Sequence, residues 1–196
     1  MTAVTRDSGA EAPAKFPIRL IIHRSDSGSI KLLQQVYIGL DTSGNMIVTP
    51  SEALLDPSTL ESARRLSSAS FPLDHKVGWK VDDLGLSGRT RFVSVVNHTD
   101  ATNPFLHTYH PDHDNKDAQF SPVNLDEGEE SFTVRRLIDL SWEGTAAAIG
   151  LSELGWGSTV LGGAYREAVT GLRAKGINVR GTFVLWRVSS IGTLTE

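Results

Sequence analysis

The chain has 196 residues, enough for one large domain or two small ones, and its 39% apolar and 21% charged residues are the balance of a folded globular chain rather than a disordered one. Nineteen Lys and Arg stand against 23 Asp and Glu, and the net charge of −4 speaks against a general nucleic-acid binder, which needs a basic stripe. Cysteine is absent, which excludes disulfide scaffolds, thiolate metal sites and cysteine nucleophiles while leaving the compartment open.

Residues 1–15 (MTAVTRDSGAEAPAK) are small and polar with no apolar run. They read as a flexible N-terminal arm on a single β-rich domain, 16–196. The arm either frays or orders on a neighbouring subunit. The start lacks the apolar stretch of a signal peptide, and no run approaches the roughly 20 apolar residues of a membrane span.

From Phe16 the pattern has period two. Phe16, Ile18, Leu20 and Ile22 predict one strand, and Ile30, Leu32, Gln34, Val36 and Ile38 predict a second. The polar run 25–29 (SDSGS) predicts a hairpin loop of about five residues between them. Another polar turn, 41–45 (DTSGN), leads to a short strand at Met46, Ile47 and Val48.

The character changes over 51–69. Ser51 suits an N-cap, Pro57 suits a first helical turn, and Leu60, Ala63, Arg64 and Leu66 have helical spacing. The segment predicts one or two short helices packed over the end of a sheet. Strand signals return from Trp79, with Phe92, Val93, Val95 and Val96 in one run. Over 131–142, Phe132, Val134, Ile138, Leu140 and Trp142 alternate with polar residues, interrupted on the apolar face only by Arg136. Tyr165, Glu167 and Val169 mark a further strand. Ile177, Val179, Phe183 and Leu185 mark the last, after a turn at 173–176. The Gly- and Ala-rich segment 144–163 reads as a loop with a short helix at 145–154, or as a bulged strand. The crossover helices of a parallel sheet are missing. The predicted fold is mainly β: an antiparallel β-sandwich or flattened barrel of about seven to nine strands, with a short helical insertion near 51–69.

One segment has the residue types of a site. Residues 103–120 (NPFLHTYHPDHDNKDAQF) hold His107, His110 and His113, interleaved with Asp112, Asp114, Asn115 and Asp117. Pro111 excludes a helix that would align the three histidines, and a continuous strand would point His110 away from the other two. The segment is therefore a loop, or a strand ending near Tyr109 followed by a loop. As a metal site it would use His107, His110, Asp112, His113, Asp114 and Asp117. Zinc would take three or four nitrogen and oxygen ligands, and calcium six to eight oxygens. The plain alternative is a turn in which Asp and Asn bond to their own backbone. A catalytic use is the third reading.

The remaining features point to structure. The acidic run 126–130 (DEGEE) is a solvated turn, and Arg64-Arg65 and Arg135-Arg136 are pairs rather than a groove. Trp142 and Trp186 fall in strand patterns and read as core, with a carbohydrate platform of tryptophans as the alternative. No Gly-x-Ser-x-Gly, Walker or Rossmann pattern occurs. The chain is thus expected to be a non-enzymatic structural or interaction module, a subunit or domain of a surface, filament or tail-like assembly. Its expected partners are proteins, most simply copies of itself joined through strand edges and the arm, with no nucleic acid and no membrane span. The alternative is a metal-dependent enzyme or ligand-binding β-barrel built on 107–117, with a calcium or zinc ion as its cofactor.

Overall fold

In the computed structural model the described residues are 3–5, 11–12, 18–68, 73–81, 87–106, 127–128, 131–142, 150, 154–172 and 175–196. They are mainly β, in three antiparallel sheets. Twelve strands run in chain order: β1 (Ala3–Thr5), β2 (Glu11–Ala12), β3 (Ile21–Arg24), β4 (Ile30–Leu33), β5 (Gln35–Leu40), β6 (Met46–Thr49), β7 (Arg64–Ser67), β8 (Leu73–Val81), β9 (Gly88–Val96), β10 (Val134–Trp142), β11 (Val160–Thr170) and β12 (Ile177–Trp186). The large sheet has the order β2-β1-β12-β11-β10-β9-β8, and the two smaller ones are β3-β4 and β6-β5-β7.

Register makes the large sheet two-faced. The row Phe92, Ile138, Glu167, Val179 runs across β9, β10, β11 and β12. Phe92, Ile138, Leu140, Tyr165 and Val179 are buried together on this inner face, and Ile22, Ile30 and Leu32 of the β3–β4 hairpin pack against them. Each such side chain contributes about 1.5–3 kcal/mol by leaving water. Ile21, the neighbour of Ile22 on β3, packs instead with Val36 and Val48 of the small sheet. The hairpin thus serves two cores at once, because successive strand residues point to opposite faces. Ile191 and Leu194 of the C-terminal segment close the second core, and Thr195 N donates to Val48 O at 2.9 Å.

The predicted strand 30–40 and the predicted helical segment 51–69 both need correction. The first is divided at Gln34. Ile30 and Leu32 serve the large-sheet core, whereas Val36 and Ile38 serve the small one. In the second, the helical content is two 3-10 turns, Glu52–Leu54 and Pro57–Ser62. Ser51 makes no side-chain cap; Asp56 does, accepting from Ser58 N at 2.9 Å. Residues 64–67 are strand rather than helix, and Leu66 is the register partner of Val36. These divisions, with the arm strands, raise the number of strands above the seven to nine expected. The alternative readings of 145–154 lie almost wholly outside the described residues.

At one position the sheet demands glycine. A Cβ on Gly163 of β11 would lie 2.1 Å from the carbonyl oxygen of Ser141 on β10. Any side chain there would force the two central strands apart.

Candidate functional site

The six residues expected to hold a cation, His107, His110, Asp112, His113, Asp114 and Asp117, lie outside the described residues. Among the described residues no group of three or more His, Asp or Glu side chains is placed to hold a metal. The structure does show what stands at the base of that loop. Asn103 is buried, its Nδ2 donating to Asn97 O and Phe132 O, both at 2.9 Å, and its Oδ1 accepting from Phe105 N at 3.0 Å. Ser131 Oγ donates to His98 O at 2.6 Å, and Glu127 accepts from Thr133 N at 2.9 Å. The hydrogen bonds from Thr133 hold the Glu127 carboxyl below its usual range. Asp100 accepts from Thr102 N and Oγ1. This is turn chemistry, in which short polar side chains satisfy nearby backbone.

A second polar group sits inside the large-sheet core. Arg136 Nε donates to Glu167 Oε1 at 2.5 Å, and Tyr165 Oη donates to Glu167 Oε2 at 2.7 Å. The Glu167 side chain is 1% exposed and that of Arg136 23%. Burial pushes the Tyr165 hydroxyl far above the ordinary tyrosine range, and the charge of Glu167 pushes it further. Both carboxylate oxygens are occupied, so the group works as a buried lock rather than an acid or base. Beside it an open groove of about 1370 Å³ runs between β3 and the β11–β12 strands, lined by Ile22, His23, Val36, Tyr165, Phe183 and Leu185 among others. His23 Nε2 is hydrogen-bonded to Gly192 O at 3.0 Å. The lining is largely apolar.

The third feature is the outer face of the large sheet. Arg91, Asp139, Arg166 and Arg180 form one cross-strand row through β9, β10, β11 and β12. Arg89 lies two positions along β9, and Arg135 on the same face of β10. Arg89 Nε donates to Asp139 Oδ1 at 2.8 Å and Arg91 Nη2 to Oδ2 at 2.7 Å. These contacts, Arg89 first, hold the Asp139 carboxyl below its usual range against the opposing effect of burial. Arg166 and Arg180 are exposed and directly paired in register.

Nothing local in the sequence marks this row, since its members come from four strands spread over some ninety positions. The tryptophans were more legible. Trp142 is 1% exposed and belongs to the core, as its pattern predicts. Trp186 does not: it is 64% exposed. The inner face of β12 takes the odd positions, Ile177, Val179, Phe183 and Leu185, so an even-numbered Trp186 must face outward. No family model, curated protein or solved structure matches this chain.

Proposed function

We propose that this chain is a non-enzymatic interaction module, a β-sandwich spanning 16–196 that assembles with copies of itself through its strand edges and the arm 1–15. The observation that carries this reading is the pairing of β1 on β12. Ala3, Val4 and Thr5 are register partners of Arg180, Val179 and Asn178, and β2 adds outside them. The arm therefore has the chemistry of strand addition, in which backbone hydrogen bonds cover an otherwise open edge.

The same pairing made on a neighbour's β12 forms identical contacts, so exchange between copies costs little beyond the entropy of association. The in-chain contact is short, three residues of β1 and two of β2, and short edge segments open locally at low cost. The other end of the large sheet, β8, offers a second edge. A subunit of a surface, filament or tail-like structure uses such edges in this way.

Size-exclusion light scattering of the full chain and of a 16–196 variant tests the reading. The full chain is expected above monomer mass and the variant at lower mass, with thermal stability nearly unchanged. Equal masses for the two would refute the role of the arm.

A further inference from the structure

We infer that a second copy of this chain pairs edge to edge with β12 over residues 182–186, antiparallel and around a two-fold axis through Val184. The inference rests on the self-assembly reading above and names the edge that meets its own like; it makes no use of the arm.

Pairing defines the free stretch. β11 matches β12 along its whole length on one side. On the other side, among the described residues, β12 is matched only by β1, and that pairing ends at Arg180. Residues 182–186 therefore present alternate backbone N–H and C=O groups with no strand to take them. Edge strands are normally kept apart by charge, proline, a bulge or a cover. At the opposite end of the sheet, β8 carries Asp74, Lys76 and Lys80 and a register shift between Asp74 and Gly78, which weaken pairing there. The run 182–186 is Thr-Phe-Val-Leu-Trp, with no charge and no proline, and its register with β11 is unbroken. Val184 and Trp186 are 40% and 64% exposed. Phe183 and Leu185 line the same open groove as Leu20 and Ile22, so there is space beside this stretch.

The stretch is its own complement. Directly opposite residues of an antiparallel pair point to the same face, so a sheet continued across two copies with both cores on one side pairs residues of like parity. An axis through Val184 gives the longest such register that stays clear of β1 at Arg180 and ends where β12 ends, at Trp186. Val184 then meets Val184 of the second copy, Phe183 meets Leu185, and Thr182 meets Trp186. Each of these pairs is uncharged, and aromatic and β-branched residues across strands are the stabilising kind. The inward pair of Phe183 and Leu185 covers apolar lining that each copy leaves open on its own. Arg180 and Arg187 flank the run and are engaged within their own chain, Arg187 Nε by Ser189 O at 3.1 Å. The isologous contact buries on each copy the same bare edge.

Light scattering of the full chain over a range of concentration, with Val184→Lys and Val184→Cys variants, tests the pairing. Five residues a side make a small interface, so the mass should rise with concentration. Val184→Lys sets two like charges against each other on the axis and should weaken the association by about tenfold or more. Its side chain is exposed, so a melting temperature near that of the unaltered chain establishes that the variant is folded. Val184→Cys, in a chain with no other cysteine, should oxidise to a covalent pair of twice the monomer mass and nothing larger. Thr182→Cys, which faces Trp186 rather than itself, should cross-link far less under the same oxidation. A chain that stays monomeric, a Val184→Lys variant of unaltered mass, or equal cross-linking of the two cysteine variants would overturn the inference. Failure of the edge alone leaves a mass that still depends on residues 1–15 and is indifferent to Val184→Lys. Failure of the arm alone gives the full chain and the 16–196 variant equal masses while Val184→Cys still links.

Discussion

Arg136 on β10 and Glu167 on β11 form an ion pair in the middle of an apolar sheet face, diagonal to one another across Ile138 and Val169. Charges in such a place survive only when paired, and Glu167 is satisfied on both oxygens by Arg136 and Tyr165. Removing one partner leaves the other buried and uncompensated. Glu167→Ala is therefore expected to cost about 3–5 kcal/mol in urea denaturation. A simultaneous Arg136→Met, Glu167→Leu replacement should recover much of that loss, since an apolar pair of similar volume carries no desolvation penalty. A single Glu167→Ala with unaltered stability would show the pair to be idle.

The same network sets a pH dependence at the alkaline end. The Tyr165 proton is held far above its ordinary value of 10.0 by burial and by Glu167. Above pH 10 the unfolded chain releases this proton while the folded chain keeps it, so the unfolded state gains. Stability should be full below pH 10 and fall above it, by at most about 1.4 kcal/mol per pH unit from this group. Tyr165→Phe should flatten that limb. A smaller dependence should remain from Tyr37, whose hydroxyl is also raised through its hydrogen bond to Glu52.

Gly163 offers a purely steric test. Its missing Cβ leaves room for the Ser141 carbonyl, and backbone on the neighbouring central strand has little freedom to retreat. Gly163→Ala should destabilise by about 1–3 kcal/mol, or more if the strands separate. Gly28→Ala, where a Cβ meets nothing within 4 Å, probes the other glycine effect, because its φ of +81° is a conformation that side chains disfavour.

Much of this fold was legible because strands β9 to β12 of the large sheet alternate between buried and more exposed positions. That contrast gave β10 and β12 their alternation, and turn chemistry marked 25–29 and 41–45. What stayed hidden had physical reasons. The break at Gln34 leaves the even-numbered apolar face of 30–38 in phase, so a change of core leaves no trace in the period. Leu60, Ala63 and Leu66 have helical spacing, yet Leu66 pairs with Val36, a partner thirty residues away that local pattern cannot reveal. Arg136 stood out as an interruption, but its partner Glu167 became apparent only through register. The arginine row on the outer face was invisible for the same cause, and the His and Asp loop stands outside the described residues.

For that loop, elemental analysis of the purified chain and melting curves with and without chelator are the measurements. As a turn satisfied by its own backbone, the arrangement seen at Asn97, Asp100 and Asn103, it should hold no metal, and the two curves should coincide. A cation bound to the folded state would raise stability by about 2.7 kcal/mol at a hundredfold excess over Kd. A chelator-sensitive melt that is lost on triple replacement of His107, His110 and His113 by Ala would give the loop a metal.

The claim that the arm joins one copy to the next is tested most directly by covalent capture. The chain has no cysteine, so a Thr5→Cys, Asn178→Cys variant introduces the sole thiols, at positions that are direct register partners in β1 and β12. Opposite residues in an antiparallel pair have Cβ atoms about 4.5–5.5 Å apart, close enough for a disulfide after slight adjustment. Oxidised at the concentration where light scattering shows assembly, the variant should run on a non-reducing denaturing gel as a ladder of linked copies that collapses to one band on reduction. A single band at monomer mass, with both thiols consumed, would place each arm on its own sheet and contradict the account.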